Sequence, residues 1–147
     1  VAQTRGAIGY VEQNYATMNK IAFGAVKNAH GEFVLASPER VAKATASAFD
    51  KPREDGRLIA NVWNAPDAGA YPISALTYIM VYSDLGNLKS RDEAAGLVQY
   101  LRWCLNEGQS SASTLDYAPL AEGARRKVLA VLDTVTFKGE SLSGAGK

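Results

Sequence analysis

The sequence predicts an α/β chain in which short strands alternate with helices. Three observations support this prediction. Short apolar runs bounded by Gly, Pro or Asn are typical of strands, and segments with apolar residues three and four apart are typical of helices. The content of 47% hydrophobic and 21% charged residues is close to that of a soluble globular protein. The 147 residues fit one ordinary domain or parts of two, which excludes a multidomain enzyme.

Charge, cysteine content and hydropathy exclude further classes. Sixteen Lys and Arg against fifteen Asp and Glu give a net charge of +1, so no basic excess points to nucleic acid as a partner. The single cysteine, Cys104, allows neither an internal disulfide nor a Cys-rich metal site. No run approaches the ~18 apolar residues of a membrane span. Residues 1–5 lack signal-peptide features, and because no initiator Met is present we expect that the chain was processed or cut from something longer.

The N-terminal part predicts a strand, a short helix and a hairpin. Residues 6–11 are apolar and punctuated by glycines, which favours a buried strand. Residues 12–19 show helical spacing. Residues 21–26 and 32–36 flank the turn-forming segment 28–31, so we expect them to form a hairpin.

A helix is predicted to begin after Ser37. The Ser37 hydroxyl can cap a free backbone N–H, Pro38 suits the first helical position, and Glu39 favours the positive end of the helix dipole. Small and branched residues share one face, which predicts light packing. They are Val41, Ala44, Thr45 and Ala48.

The middle of the chain predicts two strands separated by a loop. Residues 50–56 form a charged turn and residues 58–63 look like a strand. The loop 64–71, rich in Gly, Ala, Pro and Asp, is the best place for a crossing between two lobes. Residues 72–82 are the strongest strand, and their nearly continuous aromatic and branched side chains predict burial on both faces, as in a mixed sheet covered by helices.

Two helices are predicted in the last part. Residues 90–93 form a capping box, and Gly108 is a natural C-terminal stop for the amphipathic helix that follows the box. A last helix is predicted from about residue 120 to 135, and the Ser- and Gly-rich end, 141–147, is expected to fray. The inward face of the last helix is assigned to Val128, Val131, Leu132 and Val135.

No residue set predicts catalysis or metal binding. His30 lies beside Gly31 in a predicted turn and is expected to face solvent, and one histidine without a Cys pair cannot build a zinc site. The hydroxyl cluster at residues 110–114 has no base nearby in sequence, so turn and capping roles are expected.

Two motifs and the aromatic residues also favour structural roles. Residues 6–9 offer a G-x-x-G without the helices of an RNA-binding loop. Residues 143–147 look like the end of a phosphate loop, but neither a Ser or Thr nor a helix follows the lysine. Core and rim packing is expected for Tyr71, Tyr78, Tyr82, Tyr100, Tyr117, Trp63 and Trp103.

Four segments together resemble the family of phosphate-binding proteins that serve bacterial phosphate ABC transporters. They are residues 6–12 (GAIGYVE), 71–82 (YPISALTYIMVY), 97–103 (LVQYLRW) and 115–120 (LDYAPL). Their order and spacing resemble the C-terminal half of these proteins over nearly the whole chain, and GAIGYVE and LDYAPL are family hallmarks. The fold that this resemblance implies is part of a two-lobed, type II periplasmic-binding-protein clamshell, with mixed sheets flanked by helices.

By position, the resemblance implies two pieces. Residues 1–70 would be the C-terminal part of the second lobe and residues 71–147 the C-terminal part of the first lobe. The hinge crossing would lie near residues 66–72, within the loop that the residues themselves favour as a crossing.

The resemblance also implies where a ligand is held. The family binds phosphate through helix N-termini, hydroxyls, a carboxylate and an arginine, which offset the lost hydration of the anion. Those residues fall upstream of Val1, and Arg5 is not that arginine by position. No residue of this sequence is therefore expected to be a phosphate ligand, a catalytic residue or a metal ligand, and no cofactor is implied.

Two functions from different classes stay open. The first is phosphate binding for ABC-transporter uptake in a periplasmic or extracytoplasmic location, this chain being the C-terminal portion of a binding protein that is not an enzyme. Its partners would be inorganic phosphate, an N-terminal half or second chain and a membrane permease, with no nucleic acid. The second is a pocketless structural module that kept the scaffold and associates with another chain. Phosphate-ester hydrolysis is disfavoured because no set of nucleophile, base and metal is visible.

Overall fold

The computed structural model describes residues 1, 3–46, 49–50 and 57–143. Two 3₁₀ helices, Glu107–Ser111 and Ser113–Leu115, join the two longest α-helices. In the described part of the chain, no helix has the length and apolar character needed to cross a membrane. In chain order the other elements are α1 (Gln13–Met18), β1 (Val26–Lys27), β2 (Phe33–Val34), α2 (Pro38–Thr45), α3 (Arg91–Leu105), α4 (Glu122–Leu132), β3 (Thr136–Phe137) and β4 (Glu140–Ser141).

The structure contains both antiparallel and parallel pairing. β1 pairs with β2 and β3 pairs with β4, both antiparallel, as two separate hairpins. One parallel bridge joins Asp84 to Thr136, where Leu85 N donates to Thr136 O at 2.8 Å and Thr136 N donates to Ser83 O at 2.9 Å. Helices mixed with antiparallel and parallel pairing fit the α/β prediction, and the predicted β1–β2 hairpin is confirmed.

Helix α2 begins where the sequence predicts it. Arg40 N donates to Ser37 Oγ at 3.3 Å, and Pro38 occupies the first helical position. The hydrogen bond with Ser37 lowers the pKa of Glu39. The predicted face is buried at Ala44 and Thr45, while Ala48 lies outside the described residues, as do residues 51–56 of the predicted charged turn.

Helix α3 also begins at its predicted capping box. Glu93 N donates to Ser90 Oγ at 3.1 Å, and the Glu93 carboxylate accepts from Lys89 N at 3.0 Å. One side of the helix packs into the main core through Ala94 and Val98.

The predicted stop of α3 at Gly108 is wrong by about one turn. The helix ends at Leu105, because Asn106 leaves the helical conformation with φ −112° and ψ −96°, and its side-chain nitrogen donates back to Arg102 O at 3.0 Å. The chain then tightens into the 3₁₀ helix that contains Gly108.

The main core lies between α3, α4 and the β3–β4 hairpin, and we call residues 83–143 the C-terminal module. Arg102 forms an ion pair with Asp133 just after α4, and Arg91 reaches across to Glu140 at 3.0 Å. Val131 was predicted to face inward but is exposed, whereas Leu132 and Val135 are buried as predicted. The buried cluster consists of Leu85, Ala94, Val98, Leu101, Leu132, Val135, Phe137 and Leu142.

A second, smaller cluster lies between α2 and the loop 64–71. It consists of Ala44, Ala65 and Ala70, and Tyr71 N donates to Arg40 O at 3.1 Å beside it. The loop prediction for this segment is confirmed, and its small residues give the light packing that the sequence of α2 predicts.

All five predicted strands are absent or shortened, and the one predicted at residues 32–36 is reduced to β2. Residues 6–11, 58–63 and 72–82 have no assigned strand, and the strand predicted at 21–26 contributes only Val26 to β1. The predicted double-sided burial of residues 72–82 is wrong, because Met80 is 97% and Ile79 68% exposed. A strand needs backbone partners on a neighbouring strand, and no backbone–backbone hydrogen bond joins residues 73–82 to any other described residue. We call residues 73–82 the unpaired segment.

Candidate functional site

A cavity of about 2060 Å³ lies between the C-terminal module and chain segments that lack regular structure. Its walls include residues 7–13, the unpaired segment and the inner sides of α3 and α4, and most of the lining side chains are apolar. Pockets for small ligands are typically ~300–1,000 Å³. The cavity is about twice the upper end of this range, and its lining is mostly apolar.

The charges around this cavity also disfavour an anion. In the described part of the chain, the charged residues lining it are Glu12, Arg57 and Asp116. Two of these three carry a negative charge at neutral pH. A buried oxyanion needs several convergent N–H or O–H donors, whereas most of this lining is apolar.

Glu12 brings the two hallmark motifs together. Tyr117 donates its phenolic hydrogen to Glu12 Oε2 at 3.0 Å, across 105 residues of sequence. This hydrogen bond raises the pKa of Tyr117, because ionising the phenol would break it and place two negative charges side by side. The turn that carries Tyr117 is shaped by Asp116, which has a positive φ of 58°, and is fastened where Leu120 N donates to Gln109 Oε1 at 2.7 Å. Sequence reasoning marked both motifs but did not predict their contact.

Asp84 also accepts several hydrogen bonds, and the sequence analysis did not single it out. It accepts from Gly86 N at 2.7 Å, Lys138 N at 3.0 Å, Gly139 N at 2.7 Å and Thr136 Oγ1 at 2.9 Å. These bonds, with that from Gly139 the largest contributor, lower the pKa of Asp84. The Asp-x-Gly spacing at residues 84–86 is an Asx-turn signal that could have identified it. Because its partners belong to the chain itself, Asp84 stabilises the β3–β4 turn rather than offering a ligand site.

His30 lies in an exposed turn, as expected. Its Nε2 is 2.6 Å from Pro66 O, and Asn28 shapes the turn by accepting from His30 N at 3.0 Å. Among the described residues, no group of three or more His, Cys, Asp or Glu side chains is placed to hold a metal ion.

The hydroxyl cluster at residues 110–114 takes the expected turn roles, whereas most of the tail motif lies outside the described residues. Ser110 Oγ donates to Glu107 O and Thr114 Oγ1 donates to Ser111 O, both at 2.7 Å, as expected for turn hydroxyls. Of the phosphate-loop-like tail, residues 144–147 lie outside the described residues.

The expected packing role of the aromatic residues is wrong for several of them. Trp63 is 71% and Tyr82 72% exposed. Tyr100 and Trp103 stack on each other on the outer side of α3, with ring centroids 6.3 Å apart, and both are more than half exposed. The described residues leave these rings largely uncovered.

The basic side chains of α3 and α4 are tied to protein groups. Arg125 donates to Asn106 Oδ1 at 2.7 Å and to Glu122 at 2.6 Å, and Lys127 donates to Phe49 O at 2.6 Å. The pKa of Glu122 is lowered by its pairing with Arg125. These cations serve structure, and no cluster of them is arranged for an oxyanion.

Comparison with known proteins gives one consistent result. Residues 1–107 match the model of a PBP superfamily domain. The phosphate-binding protein PstS of Xylella fastidiosa (strain Temecula1) is 35% identical over 120 residues, which are 82% of this chain and 32% of that protein. PstS of Pasteurella multocida (strain Pm70) is 27% identical over all 147 residues, or 40% of its own length. PstS of Methanocaldococcus jannaschii is 32% identical over 115 residues, which are 74% of this chain and 29% of that protein.

The chain spans about a third of the length of these relatives. The superfamily model nevertheless covers 107 of the 147 residues, well over half. With its mixed helices and small sheets, the chain therefore belongs to the PBP superfamily.

Proposed function

We propose that this chain takes part in phosphate binding for uptake by an ABC transporter, as the C-terminal portion of a phosphate-binding protein. The observation that carries this function is the similarity to phosphate-binding proteins of three genera, extending over 74% to 100% of the chain. The protein would act outside the cytoplasm as a binding protein rather than an enzyme, with a membrane permease as its partner.

The phosphate ligands are assigned to sequence upstream of Val1 and not to this chain. Support comes from the cavity lining, where Glu12 and Asp116 would repel an anion. Arg102 and Arg125 are engaged with carboxylates of the chain. A phosphate ion entering here would lose its hydration without gaining enough donors.

We further assign residues 1–70 and 71–147 to two different lobes, with the crossing near residues 66–72. In support, the small cluster formed by Ala44, Ala65 and Ala70 and the main core at residues 85–142 have no member in common. Capture would then follow the general scheme of hinge closure around a ligand, without covalent chemistry.

Titration calorimetry tests this function. The chain alone should give no binding heat with inorganic phosphate. A fusion should bind it when the part of the Xylella fastidiosa relative that precedes the match is placed before Val1. That preceding part alone is the control, since it would carry the ligands without the surface that completes the fold. Tight phosphate binding by the isolated chain would contradict the placement of the ligands.

The second function, a pocketless structural module, is not favoured by the similarity to phosphate-binding proteins. An intact-mass measurement and a native gel on material from the source organism separate the two. A longer chain or a stoichiometric second polypeptide that supplies the family's hydroxyl and arginine ligands supports phosphate binding, and the absence of both supports scaffolding.

A further inference from the structure

The loop at residues 64–72 is closed on itself and fastened to the hairpin and helix that precede it. We propose that this loop, the β1–β2 hairpin and α2 form one rigid body held by the side chain of His30, so that movement between lobes does not bend the chain within residues 64–72. We call this body the clasped unit. Its role in lobe movement rests on the proposed function and deepens it by naming residues that stay together.

A hydrogen bond between its two ends closes the loop. Asn64 N donates to Pro72 O at 2.8 Å, and within the loop Ala70 N donates to Asp67 O at 3.0 Å. Two residues in the left-handed region, Asn64 with φ 47° and Gly69 with φ 71°, allow the backbone to reverse direction. A compact surface loop whose ends meet in this way is an Ω-loop. It differs from the open, flexible linker that a composition rich in small residues would also allow.

Helix α2 fastens the end of the loop. Tyr71 N donates to Arg40 O at 3.1 Å, and Ser74 Oγ donates to Tyr71 O at 2.8 Å. Ala70 has no exposed surface and belongs to the small apolar cluster with Ala44 of the helix. Separating the loop from α2 would therefore cost both apolar packing and a backbone hydrogen bond.

The turn of the β1–β2 hairpin fastens the loop from another element. His30 Nε2 is 2.6 Å from Pro66 O, and because a carbonyl oxygen can only accept, the imidazole donates. The buried Asn28 places its side-chain nitrogen 3.5 Å from Ala70 O. Its side-chain oxygen accepts from His30 N and from Glu32 N, both at 3.0 Å, which fixes the backbone that carries the imidazole.

The positions of these fastenings make the loop part of a larger body. They reach the loop at Pro66, Ala70 and Tyr71 and come from both the hairpin and α2. A loop held at several positions by two elements cannot turn without breaking more than one contact. The adjacent residues 73–82 make no backbone–backbone hydrogen bond to any other described residue. Bending is therefore less costly beside the loop than inside it.

Amide hydrogen exchange of the chain, followed by NMR, tests the clasped unit. His30→Ala should accelerate exchange at the amides of Asn64, Ala70 and Tyr71 together, by about 10-fold, because one lost hydrogen bond loosens the whole loop. His30→Leu, which keeps apolar bulk without a donor, should do the same. The amide of Leu85, which donates to Thr136 O in the C-terminal module, should keep its exchange rate.

Two further variants provide matched controls. His30→Gln should stay within about twofold of the wild-type exchange rates, since the glutamine amide can donate to the same carbonyl oxygen. Lys27→Ala changes an exposed side chain of the same hairpin and should have no effect on the loop amides. If His30→Ala fails to fold, the contrast between His30→Leu and His30→Gln decides.

The movement of the unit is tested in the fusion that carries the preceding part of the Xylella fastidiosa relative before Val1. Addition of inorganic phosphate should change exchange at residues 64–72 by less than about twofold, because a rigid body keeps its internal hydrogen bonds when it moves. A fusion that binds no phosphate would reject the proposed function. The exchange measurements on the chain alone would still decide whether His30 holds the unit.

Several outcomes would overturn the inference. One is unchanged exchange in His30→Ala and His30→Leu, or acceleration at only one of the three loop amides, since the fastenings would then act separately. Another is equal acceleration in His30→Gln, because the hydrogen bond would not be the cause. A third is equal acceleration at the Leu85 amide, which would indicate a global loss of stability. A 10-fold change within residues 64–72 on phosphate binding would show that the loop itself bends.

Discussion

The C-terminal module and the unpaired segment are adjacent in the chain and both contain apolar residues, yet these residues end in opposite environments. In the module, Leu85 and Ala94 are at most 2% exposed, and ion pairs join α3 to α4 and to β4. In the segment, Ile79 and Met80 are more than two thirds exposed. The apolar side chains of both regions favour burial, but only those of the module have packing partners that bury them among the described residues.

The difference follows from how helices and strands satisfy their backbones. An α-helix bonds each N–H to a carbonyl four residues earlier in the same element, so α3 and α4 can form and pack with local sequence alone. A strand bonds to another strand. When no neighbouring strand is available to pair with it, an apolar segment keeps its strand-like sequence pattern but does not form a strand.

The largest effect should come from emptying the core of the module. Leu85→Ala should lower the free energy of unfolding by about 3 kcal/mol, because it leaves a cavity among packed side chains. Ile79→Ala in the unpaired segment should change it by less than about 0.5 kcal/mol, as for an exposed position. Urea melts of the two variants check this, and an equal loss for both would show that the segment is packed in the isolated chain.

The next effect concerns Asp84, whose carboxylate holds the β3–β4 turn. Asp84→Asn should lower the melting temperature by several degrees at neutral pH, since an amide oxygen cannot accept all of the four hydrogen bonds. Because the pKa of Asp84 is lowered by folding from its usual value of 3.8, its stabilisation is complete above that value. It is lost as the pH falls through the lower pKa of the folded state.

Melting curves between pH 7 and pH 2 test this dependence. The difference between wild type and Asp84→Asn should shrink at the acidic end. The pH dependence of amide exchange at residues 73–82 is the internal comparison and should follow intrinsic chemistry. A constant difference across the whole range would contradict the assigned role of the carboxylate.

A smaller effect is expected at the start of α3. Ser90→Ala should cost about 1 kcal/mol by removing the cap on Glu93 N. Ser90→Asp is the control, since an aspartate can accept the same bond, and it should retain nearly full stability. Urea unfolding measures both. A loss shared by the two variants would mean that the cap is not what stabilises this helix.

The smallest expected effect is a gain in stability. Lys138 adopts a left-handed φ of 50° in the two-residue turn between β3 and β4, beside Gly139 at 80°. Lys138→Asn should raise the free energy of unfolding by about 0.5 kcal/mol, because asparagine tolerates this conformation better. Thermal melts check the sign, and Lys89→Asn, at an exposed site with no such strain, should give no gain.

Sequence reasoning located the helices because their signals are local. The Ser37 and Ser90 caps lie within three residues of the groups that they bond. A strand at residues 72–82 was predicted from their composition, but composition does not provide the neighbouring strand that a ladder requires. The β3–β4 hairpin was missed and its end was expected to fray, because Lys-Gly is a much weaker hairpin signal than Asn-Gly.

Little of the candidate site could be predicted from the sequence. The sequence offered no set of residues for catalysis or metal binding, and the ligand positions implied by resemblance stay a prediction. The contact between Glu12 and Tyr117 and the three bonds to Asp84 from residues 136–139 could not be predicted, since they join residues that are 105 and 52 to 55 positions apart. The spacing of residues in a sequence gives no information on contacts between residues so far apart in the chain.

The hydrogen bond between Glu12 and Tyr117 also has a kinetic consequence. It closes a loop of 105 residues, and the entropy of closing so long a loop is compensated only after most of the chain between the two ends is ordered. Helical circular dichroism should therefore recover early during refolding. The environment of the Tyr117 ring should be restored last, which makes this phenol a reporter for the final step of assembly.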